Sequence, residues 1–243
     1  MNPNRTARKP CRPPSACPQR AQRAPSRRMP TLLALLVLLF GNDVVTAQPT
    51  AARYSPQQIL QWETVSFSGT TDYRLVERDG QPAVHADCNG QSGSGLALRT
   101  PIDLTETPIV EWRWRVDQVY QGLDPHRKDG DDYPARLYVV DEHSFLRWRT
   151  RAINYVWANR QTIGSDWPNP FTDKAHMVAV NSGAPATGED GWQTVRRNIR
   201  RDFERYFDRS LDEITAVAIM TDCDNAGQKA EAWYGEIRFL PAD

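Results

Sequence analysis

The chain has 243 residues, and its 30 basic and 30 acidic side chains give a formal net charge of zero. The charge is unevenly divided. Residues 1–47 hold 8 of the basic residues and 1 of the acidic ones, which leaves 22 and 29 in residues 48–243 and a formal charge of −7 there. Phosphate binding favours a basic surface, so this balance argues against nucleic acid as a partner. A segment of about 196 residues is long enough for one domain with a hydrophobic core.

Residues 1–47 have the order of a secretory signal. Basic residues and prolines fill residues 1–30, an apolar run follows at 32–40, and small residues suited to signal peptidase lie at 45–47. The apolar run is shorter than the roughly 20 residues that a membrane span needs. We therefore expect 1–47 to be a basic leader and signal peptide, and 48–243 to be one mature domain that is periplasmic or secreted, with no stable membrane anchor. A permanent transmembrane anchor is the alternative.

Short alternating runs separated by Gly, Pro, Asp and Asn fill the mature segment, which is typical of an all-β sandwich or barrel. The predicted strands are residues 73–78, 83–88, 95–100, 109–116, 135–141, 152–158, 175–181, 192–198, 214–222 and 231–240. Asp79-Gly80 predicts a hairpin turn between the first two strands. One helix is predicted over residues 201–208, where three aromatic residues recur at helical spacing. One short helix among about ten strands excludes a parallel α/β sheet.

Two of the four cysteines lie in the leader, and Cys88 and Cys223 remain. Strand alternation places Cys88 on the same face as Val84 and Cys223 on the same face as Val217, and both faces point toward the core. Two cysteines in an exported chain favour a disulfide, which requires Cα atoms within about 7 Å of each other. Two free buried thiols are the alternative.

Polar side chains on the opposite strand faces form the candidate site. Arg113 and Arg115 alternate with tryptophans that we assign to the core, and Arg136 and Tyr138 alternate in the same way with Leu137 on another strand. Alternation sends these four polar side chains outward. We expect them to line one outer sheet surface.

Two acidic clusters accompany this surface. Asp131 and Asp132 belong to a loop that opens a strand, and Asp222 and Asp224 end another strand, beside the small residues of its outer face. Clustered carboxylates suit a hard cation. An arginine could neutralise them instead, so solvated turn acids with a structural ion pair are the plain alternative. Neither EF-hand nor zinc-site spacing is present, and we expect no metal and no cofactor.

Aromatic rings beside arginines and carboxylates are typical of sugar-binding sites, which combine stacking with hydrogen bonds. Trp167 lies in a loop rich in Pro and Asn and is a candidate for such a ring. No nucleophile elbow, phosphate-binding glycine loop or cysteine–histidine signature is present. Paired carboxylates can also cleave glycosidic bonds, so catalysis remains an alternative to binding.

Five motifs together resemble an uncharacterised bacterial family, domain of unknown function 3047. They are W-R-W-R-V at 112–116, D-G-D-D-Y-P-A-R-L-Y-V-V at 129–140, I-N-Y-V-W-A at 153–158, A-I-M-T-D-C-D-N at 218–225 and A-W-Y-G-E-I-R-F at 232–239. The resemblance implies an exported bacterial protein with no established activity and supplies no catalytic residues. The C-terminal third also resembles the tail of jelly-roll carbohydrate-binding modules, a likeness of fold that does not fix function.

We therefore predict an all-β, jelly-roll-like antiparallel β-sandwich with one short helix. The favoured function is non-catalytic binding of a glycan or similar polar ligand on a sheet face. The predicted ligand-binding residues are Arg113, Arg115, Arg136, Tyr138, Asp222 and Asp224, with Asp131 and Asp132 at the rim. The alternatives are a hydrolase or lyase that acts on cell-envelope polysaccharide through paired carboxylates, and a structural envelope protein.

Overall fold

The computed structural model describes residues 51–143, 149–185 and 191–242. The predicted leader, 1–47, lies outside the described residues. None of the helices in the described ranges has the length and apolar character needed to cross a bilayer.

Within these ranges the chain forms thirteen strands and two α-helices. The strands are β1 (Arg53–Tyr54), β2 (Glu63–Ser68), β3 (Asp72–Arg78), β4 (Gln81–Cys88), β5 (Gly93–Asp103), β6 (Ile109–Val116), β7 (Ala135–Asp141), β8 (Arg151–Ala158), β9 (Asp166–Pro168), β10 (Ala175–Ser182), β11 (Gln193–Asn198), β12 (Glu213–Asp222) and β13 (Ala230–Leu240). The helices are α1 (Pro56–Ile59) and α2 (Ile199–Phe207).

The strands form two sheets. The six-stranded sheet has the order β11-β6-β13-β4-β3, with β1 also paired to β13, and the seven-stranded sheet has the order β2-β5-β12-β7-β8-β10-β9. The predicted jelly-roll-like β-sandwich is confirmed. One difference is that β8 and β10 pair in parallel, because the connection between them contains β9, which pairs antiparallel with β10.

Aromatic side chains fill much of the space between the sheets. Trp112 and Trp114 enter it from β6, and Tyr155 enters it from β8, each almost fully buried. The Trp112 ring lies 5.2 Å from that of Trp114 and 5.4 Å from that of Tyr155, measured between centroids. These rings are among the largest apolar groups of the core, so their burial fixes which side of β6 and β8 faces outward.

Helix α2 begins two residues before the predicted helix. The Asn198 side chain accepts a hydrogen bond from the Arg201 backbone N–H at 3.1 Å, which caps the first turn. Asp208 ends the helix in the left-handed region, with φ of 52°. Phe203 is buried against the sandwich, so the helix packs on it through its apolar side.

The turn between β3 and β4 is the predicted hairpin. Asp79 and Gly80 both have positive φ, 54° and 72°. Two consecutive positive φ values define the turn type that matches the twist of a two-residue hairpin, which explains why Asp-Gly stands here.

Cys88 and Cys223 form a disulfide, which confirms the predicted bridge. Their Cα atoms are 6.1 Å apart, and both side chains are fully buried. Cys88 ends β4 in the six-stranded sheet, and Cys223 follows β12 in the seven-stranded sheet. The bridge therefore ties the two sheets together.

Replacing Cys88 and Cys223 together by serine should lower the free energy of unfolding by about 3–5 kcal/mol, because the bridge closes a long loop and restricts the unfolded chain. Urea unfolding followed by tryptophan fluorescence measures the loss. Wild-type protein unfolded in the presence of a reductant is the control and should lose a similar amount. An unchanged unfolding midpoint in the double variant would contradict a stabilising bridge.

Candidate functional site

A groove crosses the outer face of the seven-stranded sheet. It consists of two adjoining cavities of about 500 Å³ and about 180 Å³ that share Phe67, Tyr138 and Met220 in their walls. The floor of the smaller cavity includes the small residues Gly95, Ala97, Ala216 and Ala218. The larger cavity has the volume of an ordinary ligand site.

Strand alternation produces this floor. On β12, Val217 and Ile219 point into the core, so Ala216 and Ala218 point outward. Tyr138 on β7 stands directly beside Ala218. Short side chains next to a large ring leave a depression in the sheet face.

Two exposed aromatic rings line the larger cavity. Phe67 is 75% exposed and comes from β2 at one edge of the sheet. Phe171 is 54% exposed and lies between β9 and β10 at the other edge, with the Lys128 ammonium 5.4 Å from its ring centroid. Large apolar side chains that stay in water beside a cavity are a common feature of binding surfaces.

A buried ion pair closes one end of the groove. The Arg136 guanidinium donates from Nε to Asp222 Oδ1 at 2.9 Å and from Nη2 to Asp222 Oδ2. The same Nη2 also donates to the Asp131 backbone carbonyl. Arg136 and Asp222 are only 2% and 3% exposed, so the pair lies at the bottom of the groove rather than on its rim.

Two polar atoms at this end have no hydrogen-bond partner among the described residues. They are Asp131 Oδ1 and Asn154 Oδ1, and both side chains are more than nine-tenths buried and line the larger cavity. Asp131 Oδ2 accepts a hydrogen bond from Asn169 Nδ2 at 2.7 Å, and Asp131 Oδ1 lies 3.7 Å from Arg136 Nη1. Buried polar atoms are almost always hydrogen-bonded, so an ordered water or a bound polar group would complete these two acceptors.

Asp132 has a structural position. Its Oδ2 accepts hydrogen bonds from the backbone N–H groups of Asn225 and Ala226, at 2.8 and 2.6 Å, and its Oδ1 accepts one from Asn225 Nδ2 at 2.8 Å. Asp132 is fully buried. The carboxylate therefore joins the loop before β7 to the turn after β12 and is not itself exposed to the groove.

Asp224 is the exposed carboxylate at this end and lines the larger cavity. Its Oδ1 lies 2.6 Å from the position that a Cβ atom on Gly93 would occupy. A side chain on Gly93 would therefore displace Asp224. Because Gly93 has no side chain, the Asp224 carboxylate can lie over β5.

The structure separates the four polar residues that were expected on one surface. Arg136 and Tyr138 lie on β7 in the seven-stranded sheet, whereas Arg113 and Arg115 lie on β6 in the six-stranded sheet. The expectation of one shared surface is therefore wrong, because alternation gives the face of a strand but not the sheet to which the strand belongs.

The two arginines of β6 have partners of their own. The Arg113 guanidinium lies over the Trp192 ring, 4.7 Å from its centroid. Arg115 forms ion pairs with Asp79 and Asp117, at 3.1 and 2.8 Å. Both interactions belong to the outer face of the six-stranded sheet.

Trp167 does not reach the groove as an exposed ring. It is 3% exposed and packs with Tyr133 and Met177 in a small apolar cluster that covers part of the seven-stranded sheet. The cluster holds the loop before β7 on the sheet.

Sequence reasoning missed four residues that line the groove: Phe67, Asn154, Asn169 and Phe171. A signal existed for Asn154, since it alternates with Ile153 and Tyr155 and is a lone amide within a predicted strand. Phe67 belongs to β2, which was not predicted. The two loop residues carry no pattern that separates them from other loop residues.

Burial raises the pKa of Asp222 from 3.8 to about 7, although the Arg136 guanidinium opposes the shift. Burial also raises the pKa of Asp131, again against the effect of Arg136. The two carboxyl groups and Asp132 lie close enough to disfavour one another's charge.

The raised pKa of Asp222 predicts a pH-dependent stability. Because the folded protein binds this proton more tightly than the unfolded chain, the stabilisation is complete below about pH 4 and is lost as the pH rises to about 7. The free energy of unfolding, from urea titrations, should therefore fall over this range in the wild type relative to Asp222→Asn. A carbon NMR signal of the Asp222 carboxyl that titrates below about pH 4 would show instead that Arg136 outweighs burial.

Comparison with known proteins places the chain in a family. The family described as "Protein of unknown function (DUF3047)" matches residues 60–238, which confirms the resemblance carried by the five motifs. No curated protein matches the chain.

Similar solved structures include two carbohydrate-binding modules of cellulosomal cellulases from Clostridium thermocellum. The family 11 module is 10% identical, with 79% of this chain and 95% of that chain covered and a TM-score of 0.44. The family 30 module is 12% identical, with 79% and 99% covered and a TM-score of 0.43. A xylan-binding module from Roseburia intestinalis is 12% identical, with 79% and 96% covered and a TM-score of 0.33.

Proposed function

We propose that this chain, which belongs to the DUF3047 family, is an exported protein that binds a glycan chain in the groove of the seven-stranded sheet without cleaving it. The observation that carries the proposal is the groove itself. It joins a floor of small residues, two exposed rings and two buried oxygen atoms that accept no hydrogen bond from the described residues.

The width of the groove suits an extended ligand. Its walls and floor come from β2, β5, β12, β7 and β8, which are neighbours in that order. Four interstrand spacings amount to about 19 Å. A linear chain of several sugar units matches that length better than a single small molecule.

The chemistry of the groove suits hydroxyl groups. A sugar has apolar C–H faces that stack on rings such as Phe67 and Phe171, and hydroxyl groups that donate to oxygen atoms. Asp131 Oδ1 and Asn154 Oδ1 are buried acceptors that a hydroxyl group would satisfy. A purely apolar ligand would leave both unpaired, at a cost of about 1–3 kcal/mol each.

Export is supported by two features of the chain. The order of basic, apolar and small residues in 1–47 is that of a signal peptide. The Cys88–Cys223 bridge is a bond that persists in oxidising compartments such as the periplasm. A periplasmic or secreted location also gives access to envelope glycans.

Hydrolysis of the glycan is the second candidate function. The buried Asp131 lines the groove, and a carboxyl group with a raised pKa is suited to act as a general acid. Cleavage also requires a second carboxylate, and Asp224 lines the same cavity. The appearance of shorter oligosaccharides after incubation, lost in Asp131→Asn, would favour this function over binding alone.

Variants of the groove test the proposed binding, with isothermal titration of soluble oligosaccharides as the measurement. Ala218→Phe fills the floor without removing a polar group and should weaken binding at least about tenfold. Phe67→Ala and Phe171→Ala should each weaken it about fivefold, since a stacked ring contributes about 1 kcal/mol. Leu75→Ala removes an exposed apolar side chain from the six-stranded sheet and is the matched control.

Two results would contradict the proposal. One is that no oligosaccharide of the panel binds the wild-type protein. The other is that Leu75→Ala weakens binding as much as the groove variants do. Amide NMR shifts during the titration show where the ligand binds. A ligand in the groove should shift the amide signals of Tyr138 and Asn154 and leave that of Thr194 on β11 unchanged.

A further inference from the structure

We infer that the end of the groove formed by Asp131, Asp222, Asp224 and Asn154 is a subsite for a protonated amine, so that the preferred glycan carries an amino sugar with a free ammonium group. This inference rests on the proposed function, since it names the substituent that the same groove selects.

The charge at this end is the first observation. The carboxyl groups of Asp131, Asp222 and Asp224 line this end of the cavity with the Arg136 guanidinium, and the buried Asp132 carboxyl group lies behind them. Oxygen atoms of Asp132, Asp222 and Asp224 all lie within 4.8 Å of one another. A negative cavity attracts a cation and repels a uronic acid.

The free acceptors are the second observation. Asp131 Oδ1 and Asn154 Oδ1 line the same cavity, are buried and lack hydrogen-bond partners in the described part of the chain. An ammonium group has three N–H donors and no acceptor. It can therefore donate to oxygen acceptors of this kind, and a bond to a carboxylate is the stronger, charge-assisted kind.

An ammonium group fits these atoms better than a metal ion does. Both oxygens of Asp132 already accept N–H donors from Asn225 or Ala226, and both oxygens of Asp222 accept donors from Arg136. Calcium takes about six to eight oxygen ligands, and each of these four carboxyl oxygens already accepts at least one hydrogen bond. An ammonium group needs only about three acceptors, and Asp224 at the mouth can supply the third.

The Lys128 ammonium limits how far the attraction extends. It lies 5.4 Å from the Phe171 ring centroid, at the side of the same cavity. A second cation would be repelled there. The ammonium group of a ligand is therefore directed to the Asp131–Asp224 end, and neutral sugars are left to stack on Phe67 and Phe171.

Four oligosaccharides of equal length test the subsite. They are β-1,4-linked chains that differ in one substituent: a hydroxyl, an acetamido or an ammonium group at carbon 2, or a carboxylate at carbon 6. At a pH below the pKa of the amine, we expect the ammonium form to bind wild-type protein about tenfold more tightly than the hydroxyl form and the carboxylate form to bind least. Raising the salt from about 0.01 M to about 0.3 M should shrink the preference.

Two variants test whether Asp224 produces the preference for the ammonium form. Asp224→Asn keeps the shape of the exposed side chain and should reduce the ratio of ammonium-form to hydroxyl-form affinity severalfold. Asp129→Asn is the matched control, because this exposed carboxylate pairs with Arg127 outside the cavity and its loss should leave the preference unchanged.

The outcomes separate the subsite from the proposed function. If the chains bind but the ammonium form has no advantage, the subsite is wrong and the glycan groove stands. If none of the four chains binds, the proposed function fails as well. If calcium binds in titration and abolishes the ammonium preference only in protein with intact Asp224, the cluster is a metal site and the inference is overturned.

Discussion

The buried contact between Arg136 and Asp222 is the interaction on which the polar end of the groove depends. Burying either charge alone would cost several kcal/mol, whereas in the pair each charge compensates the burial of the other. Arg136 also binds the Asp131 backbone, so the loop before β7 and the end of β12 are fixed to one point. The carboxylates of both segments consequently stand beside one cavity.

The disulfide and Asp132 secure the same region from the other side. Cys223 follows Asp222 directly, and its bond to Cys88 anchors that chain segment to the six-stranded sheet. Asp132 holds the next residues through Asn225 and Ala226. Because the ion pair, the disulfide and Asp132 together fix the turn after β12, Asp224 is held in place before a ligand arrives. Such preorganisation lowers the entropic cost of binding.

Much of this fold could be predicted from the sequence, and the reason is alternation. On β6, burial follows a period of two, and the hairpin at Asp79-Gly80 has a turn signature of its own. Strand β2 was not predicted, and Phe67 was missed with it. None of the residues of β2 is buried, and its two apolar side chains, Val65 and Phe67, face the groove instead of the core. Strand β9 was not predicted either, and it has only three residues.

Alternation could not predict which of the candidate site residues lie on the same sheet. Alternation correctly sends Arg113 and Arg136 outward, but β6 pairs with β11 and β13 while β7 pairs with β8 and β12.

A double-mutant cycle measures the interaction between Arg136 and Asp222. The variants Arg136→Met, Asp222→Asn and both together are unfolded with urea above about pH 8, where Asp222 is charged. We expect each single change to lower the free energy of unfolding by about 3–5 kcal/mol and the double change to lower it by far less than their sum. Additive losses would show that the two buried side chains do not depend on each other.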